Sequence, residues 1–98
     1  VSPMEILPEV RQAVGEDITV MLDSGFRRGT DILKALILGA DAVLLGRATL
    51  YGLGAGGEAG VNHVLDLLHT DLHRSLGLLG CSNLKELDKS LIRQVSCY

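Results

Sequence analysis

Two short clusters carry the chemistry this chain is best equipped for. Asp23, Gly25 and Arg27 form one, and Gly46 and Arg47 form the other. Holding a phosphate calls for backbone N–H groups left open by small residues, a helix N-terminus, and cationic side chains with forked donors. Gly25 and Gly29 permit close backbone approach, and Arg27 supplies the fork. Asp31 opens the helix that follows, whose positive end is expected to face the ligand as well. Gly46 and Arg47 repeat the arrangement one unit later. Asp23, at the tip of its strand, only accepts hydrogen bonds when ionised, which suits a hydroxyl on a ribityl or ribose chain. A plainer reading stands beside this one: the arginines 27, 28 and 47 are surface or ion-paired residues, and the glycines only make turns.

A pair of strands must position these clusters. Ile18 to Leu22 and Ala42 to Leu45 are short apolar runs, the pattern of strands buried on both faces. Between them lies a helix capped by Gly29 or Thr30, carrying Ile32, Leu33, Leu36 and Ile37 and stopping at Gly39. Parallel strands joined by a helix present their C-terminal ends on one side, so the two clusters should converge. The spacing of Val20 and Val43 suits one compact unit of a barrel, which takes roughly 30 residues per unit.

The flanking elements follow the same logic. Ser2-Pro3-Met4-Glu5 reads as a capped helix start, with Ile6, Leu7, Val10 and Val14 as its apolar face and Gly15 as its stop. Glycines 52, 54, 56 and 57 interrupt residues 48 to 57, where a turn or short helical piece is expected. Glu58 to Leu79 is the clearest helix, striped by Val61, Val64, Leu65, Leu68, Leu72, Leu76 and Leu79 and ended by Gly80. A short amphipathic piece (Leu84, Leu87, Leu91, Ile92) then leads to a frayed end from Val95 to Tyr98. The class is α/β. Two parallel strands are marginal alone, so the chain reads as part of a larger sheet or barrel. A start at Val1 rather than Met fits that reading, with Met4 as an internal start the alternative.

Composition removes other classes. A net charge of −3 makes no electrostatic case for nucleic acid or an anionic membrane surface. No run of 18 apolar residues suggests a transmembrane helix, and no signal-like segment opens the chain. Cys81 and Cys97 read as reduced thiols. His69 and His73 have the spacing of a metal pair but no companion ligand, so no metal is expected and both join Asp66 and Asp71 on a solvated face. The Gly52 to Gly57 run is a loose dinucleotide fingerprint that does not directly follow a strand. Ser24 has no neighbouring base and reads as a turn residue; Tyr51 reads as packing.

The segments Asp23-Ser-Gly-Phe-Arg-Arg-Gly-Thr-Asp31, Lys34-Ala-Leu and Gly39-Ala-Asp-Ala-Val-Leu-Leu-Gly-Arg47 resemble the C-terminal part of the FMN-dependent α-hydroxy-acid dehydrogenases and oxidases. Glycolate oxidase, L-lactate dehydrogenase and mandelate dehydrogenase belong to that family. The likeness continues through Gly57-Glu-Ala-Gly-Val61 to Gly80-Cys81 and Leu84-Lys-Glu-Leu87. Ser24 and Phe26, where many members carry Gly and Val, look most like the mandelate-dehydrogenase branch.

The resemblance implies a (β/α)8 TIM barrel, of which residues 1–98 supply about the last two strands and three helices as an incomplete domain. It implies FMN as cofactor, with its contacts mapping onto Asp23, Ser24, Gly25, Phe26, Arg27, Gly46 and Arg47. It also implies a small 2-hydroxy acid as the parent enzyme's substrate, oxidised to a 2-oxo acid, and a homo-oligomeric parent. The family's catalytic His and carboxylate-binding Arg lie in a His-Gly-Gly-Arg-Gln type motif, which does not occur here. No catalytic residue is therefore expected in this chain, and alone it should be inactive. Two alternatives remain open at this point: another phosphate-binding barrel, such as a nucleotide-dependent dehydrogenase or flavin-dependent isomerase, and a non-catalytic remnant that self-associates. The ending Ser-Cys-Tyr is not a peroxisomal signal of the Ser-Lys-Leu type.

Overall fold

The computed structural model describes residues 1–95; Cys97 and most of the end expected to fray lie outside the described residues. The first helix, α1, spans Pro3–Val14. Its start is the expected capping box: the Glu5 N–H donates to Ser2 Oγ at 3.4 Å, and the Ser2 N–H donates to Glu5 Oε2 at 3.0 Å. Its buried face is the expected one only at Leu7. Leu7 is buried at 1% exposure and Met4 packs against the core, whereas Ile6 and Val10 are exposed. The third inward residue is Arg11, whose side chain is only 14% exposed. An arginine stem packs like an aliphatic chain when acceptors await its head, and here they do.

Strands β1 (Met21–Asp23) and β2 (Ala42–Leu44) pair in parallel, with Met21 opposite Ala42, Leu22 opposite Val43 and Asp23 opposite Leu44. A bond from the Asp41 N–H to the Val20 carbonyl, 2.8 Å, leads into the ladder. Helix α2 (Gly29–Leu38) joins the strands and stops at Gly39, as expected. The core gathers Leu7, Leu22, Phe26, Ala35 and Ala40, with Val20, Val43 and Leu45 against it. Contrary to expectation, the strands bury one face only. Alternate residues point to opposite sides; Leu22 lies against the helices, while Met21 and Leu44 on the other side are 59% and 47% exposed. Among the described residues the sheet has only these two strands, and nothing packs over its second face.

Helix α3 (Arg47–Leu78) breaks at Gly56 (φ −154°) and Gly57 (φ 62°, ψ −142°), giving a short piece over 47–55 and a long one from Glu58. This matches the expected division. The two pieces cross at Gly52 and Gly60, so closely that a Cβ on Gly52 would sit 2.6 Å from the Gly60 carbonyl oxygen. Within the glycine run, Gly52 thus serves close packing, and Gly56 and Gly57 make the break between the two helical pieces. Leu68 and Leu76 of the expected stripe are buried, but Leu65 is 43% exposed. The amphipathic piece after Cys81 forms two 3-10 turns, Leu84–Glu86 and Lys89–Leu91. Asn83 and Asp88 accept the N–H groups of Lys85 and Ser90, and such local bonds compete with helix. No helix of the described residues is long and apolar enough to cross a membrane.

Candidate functional site

The strand register sets Asp23 beside Leu44, so the loops leaving β1 and β2 run side by side. Between them lies a hollow of about 270 Å³. Asp23, Ser24, Gly25, Phe26, Arg27, Gly46 and Arg47, the whole set expected from the sequence, line it together with Leu44 and Ala48. They do so in different ways. Ser24 and Gly25 turn the chain with φ of 114° and 78°, and a Cβ on Gly25 would meet nothing within 4 Å. The backbone there is open to approach. Phe26, at 4% exposure, belongs to the core and holds the loop from beneath. Arg27 is exposed, its guanidinium carbon 5.5 Å from the centre of the Tyr51 ring.

The two helix ends beside this loop pair differ. The start of α2, expected to face the ligand, is already filled. The Gly29 N–H donates to Asp71 Oδ2 at 2.6 Å, and those of Arg28 and Arg27 donate to Asp31 Oδ2 at 3.2 and 3.4 Å. Two carboxylates therefore occupy the end that an external anion would need. Asp71, read from the sequence as part of a solvated face, lies 42 residues from its partner, beyond the reach of local patterns. Leu72 and Asp71 also crowd Gly29 so tightly that a Cβ there would lie 2.7 Å from the Asp71 carbonyl carbon. The start of α3 is different. Gly46 is its N-cap, and among the described residues no side chain caps it. Thr49 turns its hydroxyl back to donate to the Gly46 carbonyl at 2.7 Å, leaving the first amides of the helix open beside the hollow.

The opposite end of the sheet is scaffold. Arg11 donates from Nε to the Gly39 carbonyl at 2.8 Å and from Nη1 to those of Gly15 and Ile18 at 2.8 and 3.0 Å. Its Nη2 pairs with Asp41 Oδ2 at 2.5 Å, and that oxygen also accepts the Val20 N–H at 2.9 Å. The Val20 N–H, followed by the Arg11 guanidinium, holds the Asp41 carboxyl below the usual carboxylate range. A larger hollow of about 790 Å³ opens here between α1 and α2. Its walls are the carbonyl ends of two helices, an arginine already engaged, Lys89, and the carboxylates of Glu9, Glu16 and Asp41, which outnumber that lysine, so it offers an anion little. His69 and His73 are exposed on the long piece of α3, and no group of three or more His, Cys, Asp or Glu among the described residues could hold a metal ion. Cys81 is a free, half-buried thiol.

Comparison with known proteins identifies the family. A family model described as FMN-dependent dehydrogenase matches residues 1–94. The (S)-mandelate dehydrogenase of Pseudomonas putida is 53% identical over 93 residues, covering 95% of this chain and 23% of that protein. The L-lactate oxidase of a Nostoc species is 49% identical over 92 residues, covering 94% and 25%. Human 2-hydroxyacid oxidase 1 is 46% identical over 91 residues, covering 93% and 25%. Among solved structures, monotopic (S)-mandelate dehydrogenase matches with a TM-score of 0.89 at 53% identity, over 95% of this chain and 24% of that one. Mandelate oxidase with benzoyl-formic acid matches at 0.83 and 41% identity, over 87% and 25%. The chain spans about a quarter of the length of these relatives. It belongs to the FMN-dependent dehydrogenase family, whose cofactor is FMN.

Proposed function

We propose that this chain is the closing segment of a (β/α)8 barrel in an FMN-dependent 2-hydroxy-acid dehydrogenase or oxidase, and that it grips the phosphate and ribityl chain of FMN. The observation that carries this reading is the uncapped start of α3 opening on the same hollow as Arg27 and Arg47. The residues suit the group. A phosphomonoester brings nearly two negative charges and three strong acceptors at neutral pH. The first turn of α3 and the bare backbone at Gly25 offer N–H donors, and the two guanidiniums offer charge and forked donors. Asp23 would repel a phosphate but accept from a hydroxyl, so its place is toward the ribityl chain.

When bound, FMN takes up the reducing equivalents that leave the hydroxy acid. The chain's own part is to bind and orient. Arg27 and Arg47 fix the phosphate, Gly25 admits the close approach, and Phe26 keeps the loop seated on the core. The one carboxylate lining the hollow, Asp23, is assigned to the ribityl chain, and His63, His69 and His73 all lie on the long piece of α3, so in this reading the base for the hydroxy acid comes from elsewhere in the parent enzyme. A small 2-hydroxy acid is the substrate class, in keeping with relatives named for lactate and mandelate.

The test is flavin affinity in the holoprotein carrying this segment, stripped of flavin and titrated with FMN and with riboflavin. Arg27→Ala and Arg47→Ala should each weaken FMN about tenfold or more, the scale of one charge-assisted hydrogen bond, and leave riboflavin unchanged. Equal loss for both flavins would overturn the phosphate assignment.

A further inference from the structure

Tyr51 is not accounted for by packing. Its side chain belongs to the first turns of α3, one turn after Arg47, yet it is 58% exposed. Residues four apart share a helix face, so Tyr51 and Arg47 present the same edge of the helix. The Tyr51 ring lies under the Arg27 guanidinium, 5.5 Å from centroid to carbon, inside the range of a cation–π contact. Its backbone is not free to drift. The next residue, Gly52, is buried and locked against Gly60 at the crossing of the two pieces of α3. The backbone that carries the ring is therefore held by the crossing, while Arg27 stands on the loop between β1 and α2.

We propose that Tyr51 is a positioning residue for the phosphate grip: its ring is a platform that holds the Arg27 guanidinium at the mouth of the hollow, beside Arg47. An unsupported exposed arginine samples many rotamers, and binding must then order it at an entropic cost. A guanidinium laid on a ring has already lost part of that freedom, while its edge N–H donors stay available to an anion. This assignment rests on the phosphate reading above and deepens it, since it concerns how one of the two cations is presented.

The experiment measures FMN and riboflavin dissociation constants in the flavin-stripped holoprotein. Replacing an exposed cation–π contact should cost about two- to fivefold in affinity. Tyr51→Leu should weaken FMN by that factor without altering riboflavin, Tyr51→Phe should restore FMN affinity, and Tyr51→Leu should add nothing in an Arg27→Ala background. Tyr51→Gln serves as a second loss variant if the leucine variant folds poorly. Equal weakening of both flavins, or an undiminished effect in the Arg27→Ala background, would show a packing role and end the proposal. So would unchanged FMN affinity in both loss variants. If Arg27→Ala and Arg47→Ala themselves leave the FMN-to-riboflavin ratio unchanged, the phosphate reading fails first. If they lower it and the Tyr51 variants do not, only the platform fails.

Discussion

Ser24 holds φ at 114°, a region that suits glycine, at the lip of the hollow between Asp23 and Gly25. Strain of this kind costs on the order of 1–3 kcal/mol, whereas the extra freedom of glycine in the unfolded chain costs about 0.5–1 kcal/mol. Relief should win. Ser24→Gly is expected to stabilise the fold by about 1 kcal/mol in equilibrium unfolding, and a net loss would mean that the serine hydroxyl makes a contact worth more than the strain. The sequence reading saw Ser24 as a turn residue but had no means of seeing its strained dihedral. It found the hollow itself because strand-end geometry is general: parallel strands deliver their C-terminal residues to one side, whatever the details of packing. Arg11 escaped notice for the opposite reason. Counting apolar periodicity treats every arginine as polar, so Ile6 and Val10 were preferred for a face that Arg11 occupies.

At the scale of elements, one end of the sheet opens into the hollow and the other is built for cohesion. Arg11 and Asp41 tie α1, β1, α2 and the entry to β2 together at the N-terminal ends of the strands, away from the hollow. That tie is pH-dependent, and the sign follows from the lowered Asp41 value. A carboxyl whose pKa is lower folded than unfolded contributes stability that is complete above its ordinary range, near 4, and is lost as pH falls through the folded value. The urea midpoint should therefore fall on acidification from about pH 5 downward, and Asp41→Asn should flatten that fall. An Asp41→Asn chain with the parent's full acid sensitivity would place the acid-labile group elsewhere. Glu86, held low by Ser82, and Asp88, held low by Ser90, shift in the same direction, so some slope should survive. Asp71 illustrates what local pattern cannot reach. A solvated-face aspartate and a cap on a helix 42 residues away have the same sequence neighbourhood, and only the α2–α3 packing decides between them.

For the molecule as a whole, the open sheet face decides how the chain behaves alone. Both strands have an unpaired edge among the described residues, Met21 and Leu44 on the strands and Ile18 just before β1 are exposed apolar side chains, and Ile6 and Val10 are exposed on α1. A closed barrel would pair both edges and cover the second sheet face, which is why the same apolar runs looked buried on both sides in the sequence. Nothing among the described residues performs that closure. The 98-residue chain by itself is accordingly expected to associate at micromolar concentration, giving a light-scattering mass above that of one copy. It should also reduce no dye in the presence of FMN with lactate, glycolate or mandelate. These two outcomes test separate halves of one picture. A well-dispersed monomer with a sharp unfolding transition would show that two strands and their helices suffice as a domain, and the barrel argument would lose its physical basis. Substrate-dependent dye reduction would place a proton-accepting group inside this chain and overturn the proposal that this segment grips the phosphate while the base lies elsewhere.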